Sequence, residues 1–362
     1  MRIALLGTRG IPAAYGGFET FAEELSTRLA ARGHEITVWG RSRHESPEYR
    51  GVRLRYLPAP RHKYLETLGH TFLSTLDLLF RRQDVALYCN AANALFTILP
   101  RLTGTPVALN VDGLERNRKK WNALARAWYR LSERLSTLFP SAIVTDAEEI
   151  RRYYREAYGK DSVFIPYGAP TGPVAPAETL ASLRLEPRRY FLYVSRFEPE
   201  NNALLVRRAF EGVSTDLRLA LIGDAPYAPS YIAEVKATTD PRIVIPGAIY
   251  GAGYHELQAN SFAYIHATEV GGTHPALIEA MGRGALVLYL MTPENHEVAG
   301  GCGLPFTAGN LGDVIRQTLE MEESERARLR SAAEERVRRQ YSWDAVTTAY
   351  ETLLQRIVGA RT

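Results

Sequence analysis

The chain has 362 residues, of which 46% are hydrophobic and 23% are charged. This length exceeds what one core usually serves, so we expect a folded protein with two domains. A formal net charge of +4 is too small to indicate nucleic-acid binding, and two distant cysteines indicate neither a disulfide framework nor a zinc site. No apolar run is long enough to cross a bilayer, and the first residues lack the apolar stretch of a signal peptide. Both observations favour a cytoplasmic protein.

Short apolar runs alternate with helical patterns through the first half of the chain. They predict strands at Ile3–Leu6, Ile36–Trp39, Val52–Tyr56, Val85–Tyr88, Val107–Val111, Ala142–Thr145 and Val163–Ile165. Such alternation is typical of a parallel sheet with helices on both faces. Residues 1–168 are therefore predicted to form one α/β domain.

Residues 168–182, GAPTGPVAPAETLAS, are rich in Pro, Gly and Ala and have no apolar period, which predicts a linker over residues 169–183. The α/β pattern then restarts over residues 184–340. Its predicted strands are Tyr190–Val194, Leu217–Ile222, Ile243–Ile245, Phe262–Ala267 and Ala285–Leu290. Residues 341–362 predict an amphipathic final helix. Because ligands of such sheets bind beyond the carboxyl ends of the strands, we expect a ligand cleft between two doubly wound lobes.

The segment FAYIHATEVGGTHPALIEAMGRG, residues 262–284, is the most informative part of the second domain. A predicted strand leads into Gly271 and Gly272, and a helix follows with Pro275 in its first turn. The unpaired N–H groups at a helix start attract anions, and Glu279 on the same helix could accept hydrogen bonds from sugar hydroxyls. A nucleoside diphosphate would meet both demands. An ordinary strand-to-helix turn is the alternative.

Three other segments of the second domain lie at predicted strand ends. Arg196, in VSRFEPENN, could neutralise a diphosphate leaving group, unless it forms a surface ion pair with Glu198 or Glu200. LIGDAP contributes a second glycine turn. In PGAIYG, backbone groups around residue 249 could read the edge of a nucleobase, and Tyr250 could stack on it.

In the first domain, the first strand ends in GTRGIPAAYGGFET. A dinucleotide site would require glycine where Arg9 stands, so a dehydrogenase is disfavoured. Arg41 after the second strand, where such a site needs an acid, speaks against it too. The turn nevertheless brings Gly16, Gly17 and a helix start toward the expected ligand.

The segment NVDGLERNRKKW, residues 110–121, follows a predicted buried strand. Asp112 is placed to meet an acceptor hydroxyl. The cations that follow it form either a solvated charge run or a surface for phosphate or anionic lipid; they are Arg116, Arg118, Lys119 and Lys120. Upstream, residues 63–82 carry a helical apolar stripe that favours a core helix over a membrane-surface helix.

Taken together, GTRGIPAAYGGFET, VDGLERNRKKW, FIPYGAP, SRFEPENN, EVGGTHPALIEAMG and NHEVAG resemble the GT-B glycosyltransferases. The resemblance is to retaining enzymes of the family-four type, and within them to the bacterial rhamnosyltransferase-like branch. It covers nearly the whole chain. It implies two Rossmann-like lobes, a nucleotide-sugar donor on the second, an acceptor on the first, no metal or cofactor, and a last helix that returns to the first lobe.

By position, Glu279 resembles the residue that holds the donor ribose, and Arg196 resembles the arginine on the donor diphosphate. Both, with Asp112, are the predicted catalytic residues. The predicted donor contacts are Gly16, Gly17, Arg196, Asn201, Gly223, Ile249, Tyr250, Glu269, Gly271, Gly272, Thr273, His274 and Glu279. The predicted acceptor contacts are Tyr15, Asp112, Arg116, Arg118 and Lys120.

The chain departs from the general family pattern at two positions. Asn201 stands where the family has a lysine, and Arg9, Arg118 or Lys120 is expected to supply that charge instead. Gly271 stands where the family has a glutamate, with Glu269 displaced by two positions. The rhamnosyltransferase-like branch shares both departures.

The resemblance implies transfer of rhamnose or another hexose in cell-surface polysaccharide synthesis. A polyprenyl-linked saccharide acceptor would bring the protein to the inner face of the cell membrane. Two alternatives remain open, namely a nucleotide-sugar epimerase or phosphorylase of the same fold and a non-catalytic two-lobe ligand binder. The latter would bind sugars without requiring a nucleotide.

Overall fold

The computed structural model describes residues 1–13, 16–60, 65–119, 121–225 and 228–360. The chain divides into two compact units, Met1–Gly168 with Trp343–Thr362, and Ala169–Ser342. Each unit contains its own sheet, so the predicted α/β class with two parallel-sheet lobes is confirmed. None of the helices in the described ranges is both long and apolar enough to span a membrane.

The first unit is built on an eight-stranded sheet. Its strands are β1 (Arg2–Leu6), β2 (Glu35–Gly40), β3 (Glu48–Tyr49), β4 (Val52–Tyr56), β5 (Val85–Cys89), β6 (Val107–Asn110), β7 (Ala142–Thr145) and β8 (Val163–Phe164). The order is β3-β4-β2-β1-β5-β6-β7-β8. All neighbours are parallel except β3, a two-residue edge strand that runs antiparallel to β4 and was not predicted. The central strands are buried because helices cover both faces.

The helices of the first unit follow its strands in sequence. They are α1 (Gly17–Ala31), α2 (Glu66–Leu79), α3 (Ile98–Leu102), α4 (Ala123–Ser136) and α5 (Glu148–Tyr158), with 3-10 turns at Ala91–Thr97 and Glu115–Asn117. One face of α1 is buried in this unit, since Phe21, Ala22, Leu25 and Leu29 are all at most 1% exposed.

The second unit is built on a six-stranded parallel sheet. Its strands are β9 (Tyr190–Val194), β10 (Arg218–Ile222), β11 (Ile243–Gly247), β12 (Ala263–His266), β13 (Leu286–Leu290) and β14 (Leu304–Phe306). The order is β11-β10-β9-β12-β13-β14. The chain runs outward from β9 to β11 and then crosses to the other side of β9 with β12. Strands β9 and β12 therefore flank the switch point, where open α/β sheets bind ligands.

The helices of the second unit cover this sheet. They are α6 (Glu178–Ser182), α7 (Ala203–Glu211), α8 (Pro229–Lys236), α9 (Gly251–Asn260), α10 (Pro275–Gly282), α11 (Pro293–Ala299), α12 (Leu311–Glu320) and α13 (Glu323–Gln340), with a 3-10 turn at Pro199–Asn201. Strand β14, before α12, was not predicted because its three residues are too few for a pattern to show.

The last helix, α14 (Trp343–Gly359), belongs to the first unit, as predicted. Its apolar stripe is buried there, and the ring of Tyr350 lies 5.2 Å from that of Phe21 on α1. The Tyr350 hydroxyl accepts a hydrogen bond from Asn110 Nδ2 at 2.9 Å. A residue near the end of the chain thus supports the turn that follows β6.

The segment predicted as a linker is packed on the second unit. The buried Glu256 carboxylate on α9 accepts hydrogen bonds from the N–H groups of Ala177, Thr179 and Leu180, at 2.6–3.2 Å. Burial raises the pKa of Glu256, whereas the hydrogen bonds from these N–H groups lower it. The hydrogen bonds together have the larger effect, so the pKa of Glu256 is below its ordinary value. The Pro-, Gly- and Ala-rich composition without an apolar period predicted a linker, and the sequence pattern could not show this acceptor.

We predict that Glu256→Ala loosens residues 169–183. The change leaves three N–H groups without their acceptor, so the free energy of unfolding should fall by about 2 kcal/mol, and protease should cut this segment faster. Urea unfolding and limited proteolysis measure both effects. Glu178→Ala, an exposed carboxylate at the start of α6, is the matched control and should change little. Equal cleavage of the two variants would contradict the anchoring role.

Candidate functional site

Arg196 follows β9 by two residues and is half-buried. In the described part of the chain its guanidinium forms no ion pair with Glu198 or Glu200, so the surface-pair alternative does not hold. The cation therefore stays at the carboxyl end of a central strand, where an anionic ligand can reach it.

The loop that carries Arg196 is fixed by its own residues. Asn201 Nδ2 donates to the Arg196 carbonyl at 2.7 Å, and the Tyr193 hydroxyl donates to the Asn201 carbonyl at 2.7 Å. Gly223, after β10, lies so close that an added Cβ would be 1.9 Å from Ser195 O. The amide donors of Asn201, predicted for the donor substrate, are thus engaged with the protein's own backbone, and Gly223 permits a close approach of two loops.

The loops after β9 and β12 are tied together. Asn202 adopts the left-handed conformation, with φ of 61°. Its Nδ2 donates to Ala267 O at 2.9 Å and to Glu269 Oε1 at 3.0 Å. The Glu269 N–H in turn donates to Glu200 O at 3.0 Å. Sequence reasoning missed Asn202; the signal was a second asparagine, a residue that tolerates positive φ, directly before a helix.

The glycine turn before α10 has the geometry expected of a helix start. Thr273 and His274 are buried, and α10 begins at Pro275. An added Cβ on Gly271 would lie 2.4 Å from His274 Cε1, so the imidazole lies directly over the Gly271 backbone. Gly272 is buried beside it. Small residues therefore leave the backbone N–H groups of this turn close to any bound ligand.

His266, at the end of β12, was not predicted as a site residue. Its ring lies 4.8 Å from that of His274, and its Nε2 is buried without a hydrogen-bond partner among the described residues. Burial lowers the pKa of His266 from 6.5 to about 3, against a smaller opposing contribution from Asn295. The imidazole is therefore neutral at physiological pH and adds polarity without charge.

Glu279 lies on α10, and its side chain is held in one orientation. The Tyr254 hydroxyl on α9 donates to Glu279 Oε2 at 2.5 Å, and Gln258 Nε2 donates to that hydroxyl at 2.7 Å. Burial, followed by the charge of Glu279, raises the pKa of Tyr254 well above its ordinary value, so this phenol keeps its proton. The sequence pattern gave no sign of Tyr254 or Gln258, because their role depends on the packing of α9 against α10.

Ile249 and Tyr250 lie just beyond β11, at the carboxyl end of the same sheet. Ile249 is half-buried, whereas Tyr250 is 53% exposed immediately before α9. An exposed aromatic ring at this edge is suited to stacking on a planar base. The predicted base contact therefore has a suitable ring at the expected strand end.

In the first unit, Gly16 precedes α1 and Gly17 is its first residue. Glu19, in the first turn of α1, is buried and accepts a hydrogen bond from the Arg9 N–H at 3.0 Å. Burial raises the pKa of Glu19. The Arg9 guanidinium pairs with Glu66 at 3.2 Å, so its charge is engaged within the unit. Tyr15 lies outside the described residues.

Asp112 follows β6 in a strained turn, with a left-handed φ of 58°. Its N–H donates to Asn110 Oδ1 at 3.0 Å, and the same Asn110 side chain is bonded to Tyr350. The carboxylate is half-buried. Side chains of β6 and α14 thus hold the predicted acceptor residue in an uncommon conformation, as is frequent at functional sites.

The predicted basic patch needs a correction. Arg116 bonds the buried Glu133 and also donates to the Tyr153 hydroxyl at 2.6 Å. Arg118 is only 7% exposed and bonds Glu115 at 2.5 Å. These two cations neutralise carboxylates of the protein itself, so they do not form a free acceptor surface. Lys120 lies outside the described residues.

No three His, Cys, Asp or Glu side chains within the described ranges lie close enough together to hold a metal ion. The absence of a metal requirement stays a prediction of the resemblance.

The chain resembles known proteins both in a sequence domain and in its fold. Residues 16–168 match a glycosyl transferase 4-like domain. No curated protein sequence matches the chain. Sucrose-phosphate synthase from Thermosynechococcus elongatus has a TM-score of 0.82 at 19% identity, with 99% of each chain covered.

Two further solved structures agree. HepE of Anabaena, in complex with UDP and glucose, has a TM-score of 0.80 at 15% identity, with 98% of this chain and 100% of that one covered. WaaG, a glycosyltransferase involved in lipopolysaccharide biosynthesis, has a TM-score of 0.71 at 16% identity, with 99% and 100% covered. Identities this low show a shared fold. The chain therefore has the GT-B fold, and part of its first unit matches a glycosyl transferase 4-like domain.

The low pKa of His266 predicts a pH-dependent stability. Between pH 6.5 and about 3 the unfolded state binds a proton that the folded state excludes. Stability is therefore lost as pH falls below 6.5, by up to about 1.4 kcal/mol per pH unit from this group. His266→Gln should show a shallower loss between pH 6.5 and 4.5 in urea unfolding. The exposed His44→Gln should keep the wild-type slope; a wild-type slope in His266→Gln as well would contradict the assignment.

The pairing of Arg116 with Glu133 predicts a structural role. Arg116→Ala leaves a carboxylate that is 3% exposed without its cation, so the free energy of unfolding should fall by about 3 kcal/mol. Arg126→Ala, an exposed arginine on α4, should change it by less than about 0.5 kcal/mol. Urea unfolding compares the two variants. Equal free energies of unfolding for the two variants would contradict the structural role of Arg116 and favour a free surface cation.

Proposed function

We propose that the chain is a glycosyltransferase that moves rhamnose or another hexose from a nucleoside diphosphate donor to a saccharide acceptor. One observation carries the proposal: hydrogen bonds tie the loop after β9, which carries Arg196, to the loop after β12, which leads into the glycine turn of α10, while Tyr254 orients the carboxylate of Glu279 on that helix. Among the described residues no ion pair engages Arg196. The GT-B fold supports it, as do fold neighbours described with UDP and glucose and with lipopolysaccharide biosynthesis.

The donor roles follow from the chemistry of these groups. The diphosphate lies against the Arg196 guanidinium and the N–H groups at Gly272 and Thr273. The ribose hydroxyls donate to Glu279, whose hydrogen bond from Tyr254 fixes the direction of its oxygens. The base stacks on Tyr250. Contact between the donor phosphates and the Gly16 turn stays a prediction.

The reaction is proposed to proceed with retention. As the bond between the sugar C1 and the diphosphate oxygen breaks, negative charge grows on the diphosphate and the ring gains oxocarbenium character. Arg196 and the α10 N–H groups stabilise that charge, so no metal is required for this step. The acceptor hydroxyl attacks C1 on the face that the diphosphate leaves, and its proton passes to the departing phosphate oxygen. This route needs no protein base; if a carboxylate takes the proton in place of the phosphate oxygen, Asp112 is the candidate.

The acceptor is proposed to be a saccharide of a growing cell-surface polysaccharide, free or linked to a polyprenyl carrier. Asp112 would meet its hydroxyl from the turn after β6. A polyprenyl-linked acceptor would place the reaction at the inner face of the cell membrane.

Replacing Arg196 tests the donor site. Loss of one preorganised charge in the transition state is worth about 3 kcal/mol, so Arg196→Ala should lower kcat/KM about a hundredfold. Glu279→Gln should mainly raise the donor KM. Arg189→Ala, which removes a surface arginine of the same unit paired with Asp216, is the matched control and should retain activity.

The measurement is turnover with UDP-, GDP- and dTDP-sugars, with the anomeric configuration of the product read by NMR. Wild-type activity in Arg196→Ala and Glu279→Gln would refute the site. A donor rearranged or cleaved without an acceptor would indicate an epimerase or phosphorylase, and sugar binding without any nucleotide requirement would indicate a non-catalytic binder.

A further inference from the structure

Helix α2 is amphipathic in the opposite sense to a core helix. Its buried positions are mainly polar: His70, Thr71, Ser74 and Thr75 are all fully buried. Of its apolar side chains, Phe72 is 43% and Leu73 38% exposed, and Phe80 just beyond the helix is 90% exposed, whereas Leu78 is buried. The other leucines of the helix are half-buried. The prediction that the apolar stripe of this helix is its core face is therefore wrong. Two of these polar side chains have partners, since Thr75 Oγ1 bonds the Tyr88 hydroxyl at 2.9 Å and His70 Nε2 lies 3.1 Å from Gly40 O. The hydroxyls of Thr71 and Ser74 have no hydrogen-bond partner among the described residues.

Helix α4 repeats this inversion. Leu124, Leu131 and Leu138, the last just past the helix, recur every two turns and so share one face, and they are 80%, 48% and 60% exposed. The buried face carries Tyr129, Ser132, Glu133 and Ser136, of which only Tyr129 is aromatic and none is aliphatic. Two helices of one unit therefore present leucine and phenylalanine to solvent.

The two helices adjoin the same partly exposed segment of the first unit. Both pack against the 3-10 turn Ala91–Thr97, where Leu95 is 37% exposed and the Phe96 ring lies 6.0 Å from that of Phe72. Of the twelve large apolar side chains that are exposed in the described ranges, all but Tyr56, Tyr250 and Met291 lie between residues 65 and 138. We call the exposed apolar side chains of residues 65–138 the apolar face. Scattered exposed leucines are ordinary, but a concentration of this kind marks an interaction site.

The charges around the apolar face are positive. The exposed charged residues of α4 are Arg126, Arg130 and Arg134, and the described structure gives none of them an ion pair. The acids on these helices are already neutralised: Asp77 on α2 is bonded by Arg55 and Arg81, and Glu133 is bonded by Arg116. Apolar side chains flanked by unpaired arginines have the chemistry of a helix that lies on an anionic bilayer.

We propose that the apolar face docks on the surface of a bilayer that contains anionic lipids. The leucine and phenylalanine side chains enter the boundary between headgroups and acyl chains, while the arginines of α4 meet the lipid phosphates. This surface would hold the first unit where a polyprenyl-linked acceptor lies, a point that rests on the proposed function. Bilayer binding itself needs no sugar donor and stands independently.

Sedimentation with vesicles tests the proposal. Wild-type protein should bind mixed vesicles of phosphatidylglycerol and phosphatidylcholine. Its affinity for vesicles of pure phosphatidylcholine should be lower by a factor of at least about ten, since each arginine near an anionic surface adds to the affinity. The triple variants Leu124→Ser/Leu131→Ser/Leu138→Ser and Arg126→Gln/Arg130→Gln/Arg134→Gln should each bind the mixed vesicles more than about tenfold more weakly. The control Arg328→Gln/Arg338→Gln/Arg339→Gln removes the same charge from exposed positions on α13 and should bind like wild type.

Circular dichroism melting should show all three variants folded, because the altered side chains are exposed. The proposal would be overturned if the leucine variant bound the mixed vesicles as tightly as wild type. It would also be overturned if the α13 variant lost as much vesicle affinity as the α4 arginine variant. A wild-type dimer in light scattering that the leucine variant converts to a monomer, with no vesicle binding, would assign the apolar face to a second copy. Turnover of a soluble acceptor should be unchanged in the α4 variants, so failure of vesicle binding and failure of the proposed chemistry are read separately.

Discussion

The parallel register of β9, β10 and β12 is the constraint on which the candidate site depends. Because all three strands run the same way, their following loops leave the sheet at one edge, and the strand order reverses beside β9, which is where open α/β sheets bind ligands. Gly223 then sets the spacing, since any Cβ there would collide with Ser195 O and displace the Arg196 loop. Arg196 is therefore placed by backbone geometry before any ligand binds.

Polar side chains complete this placement by bonding to the protein itself. Asn201 and Asn202 hold the two loops, Tyr254 holds Glu279, and Asn110 holds the turn of Asp112. Groups fixed in this way need little reorganisation when charge develops on a substrate, which is how preorganised sites lower a barrier. The same principle explains why amide side chains near the site face inward rather than toward the expected donor.

The sequence predicted the features that depend on local pattern. Apolar runs located twelve of the strands, and the Gly-Gly-x-x-Pro spacing located the start of α10 at Pro275. It could not predict features that depend on distant partners. The sequence predicted Arg116 to be a surface cation, because its partner Glu133 comes close to it only when α4 packs beside the turn in the folded unit. The stripe of α2 read as a core face because apolar periodicity gives a direction around the helix but does not say which side the unit covers.

We infer that the second unit binds a nucleoside diphosphate through Arg196, the turn before α10 and Glu279. A crystal structure of the protein soaked with the nucleoside diphosphate that most raises its melting temperature tests this inference directly. We expect phosphate oxygens within hydrogen-bond distance of the Arg196 guanidinium and ribose hydroxyls on the Glu279 carboxylate. A ligand bound elsewhere, with both side chains untouched, would contradict it.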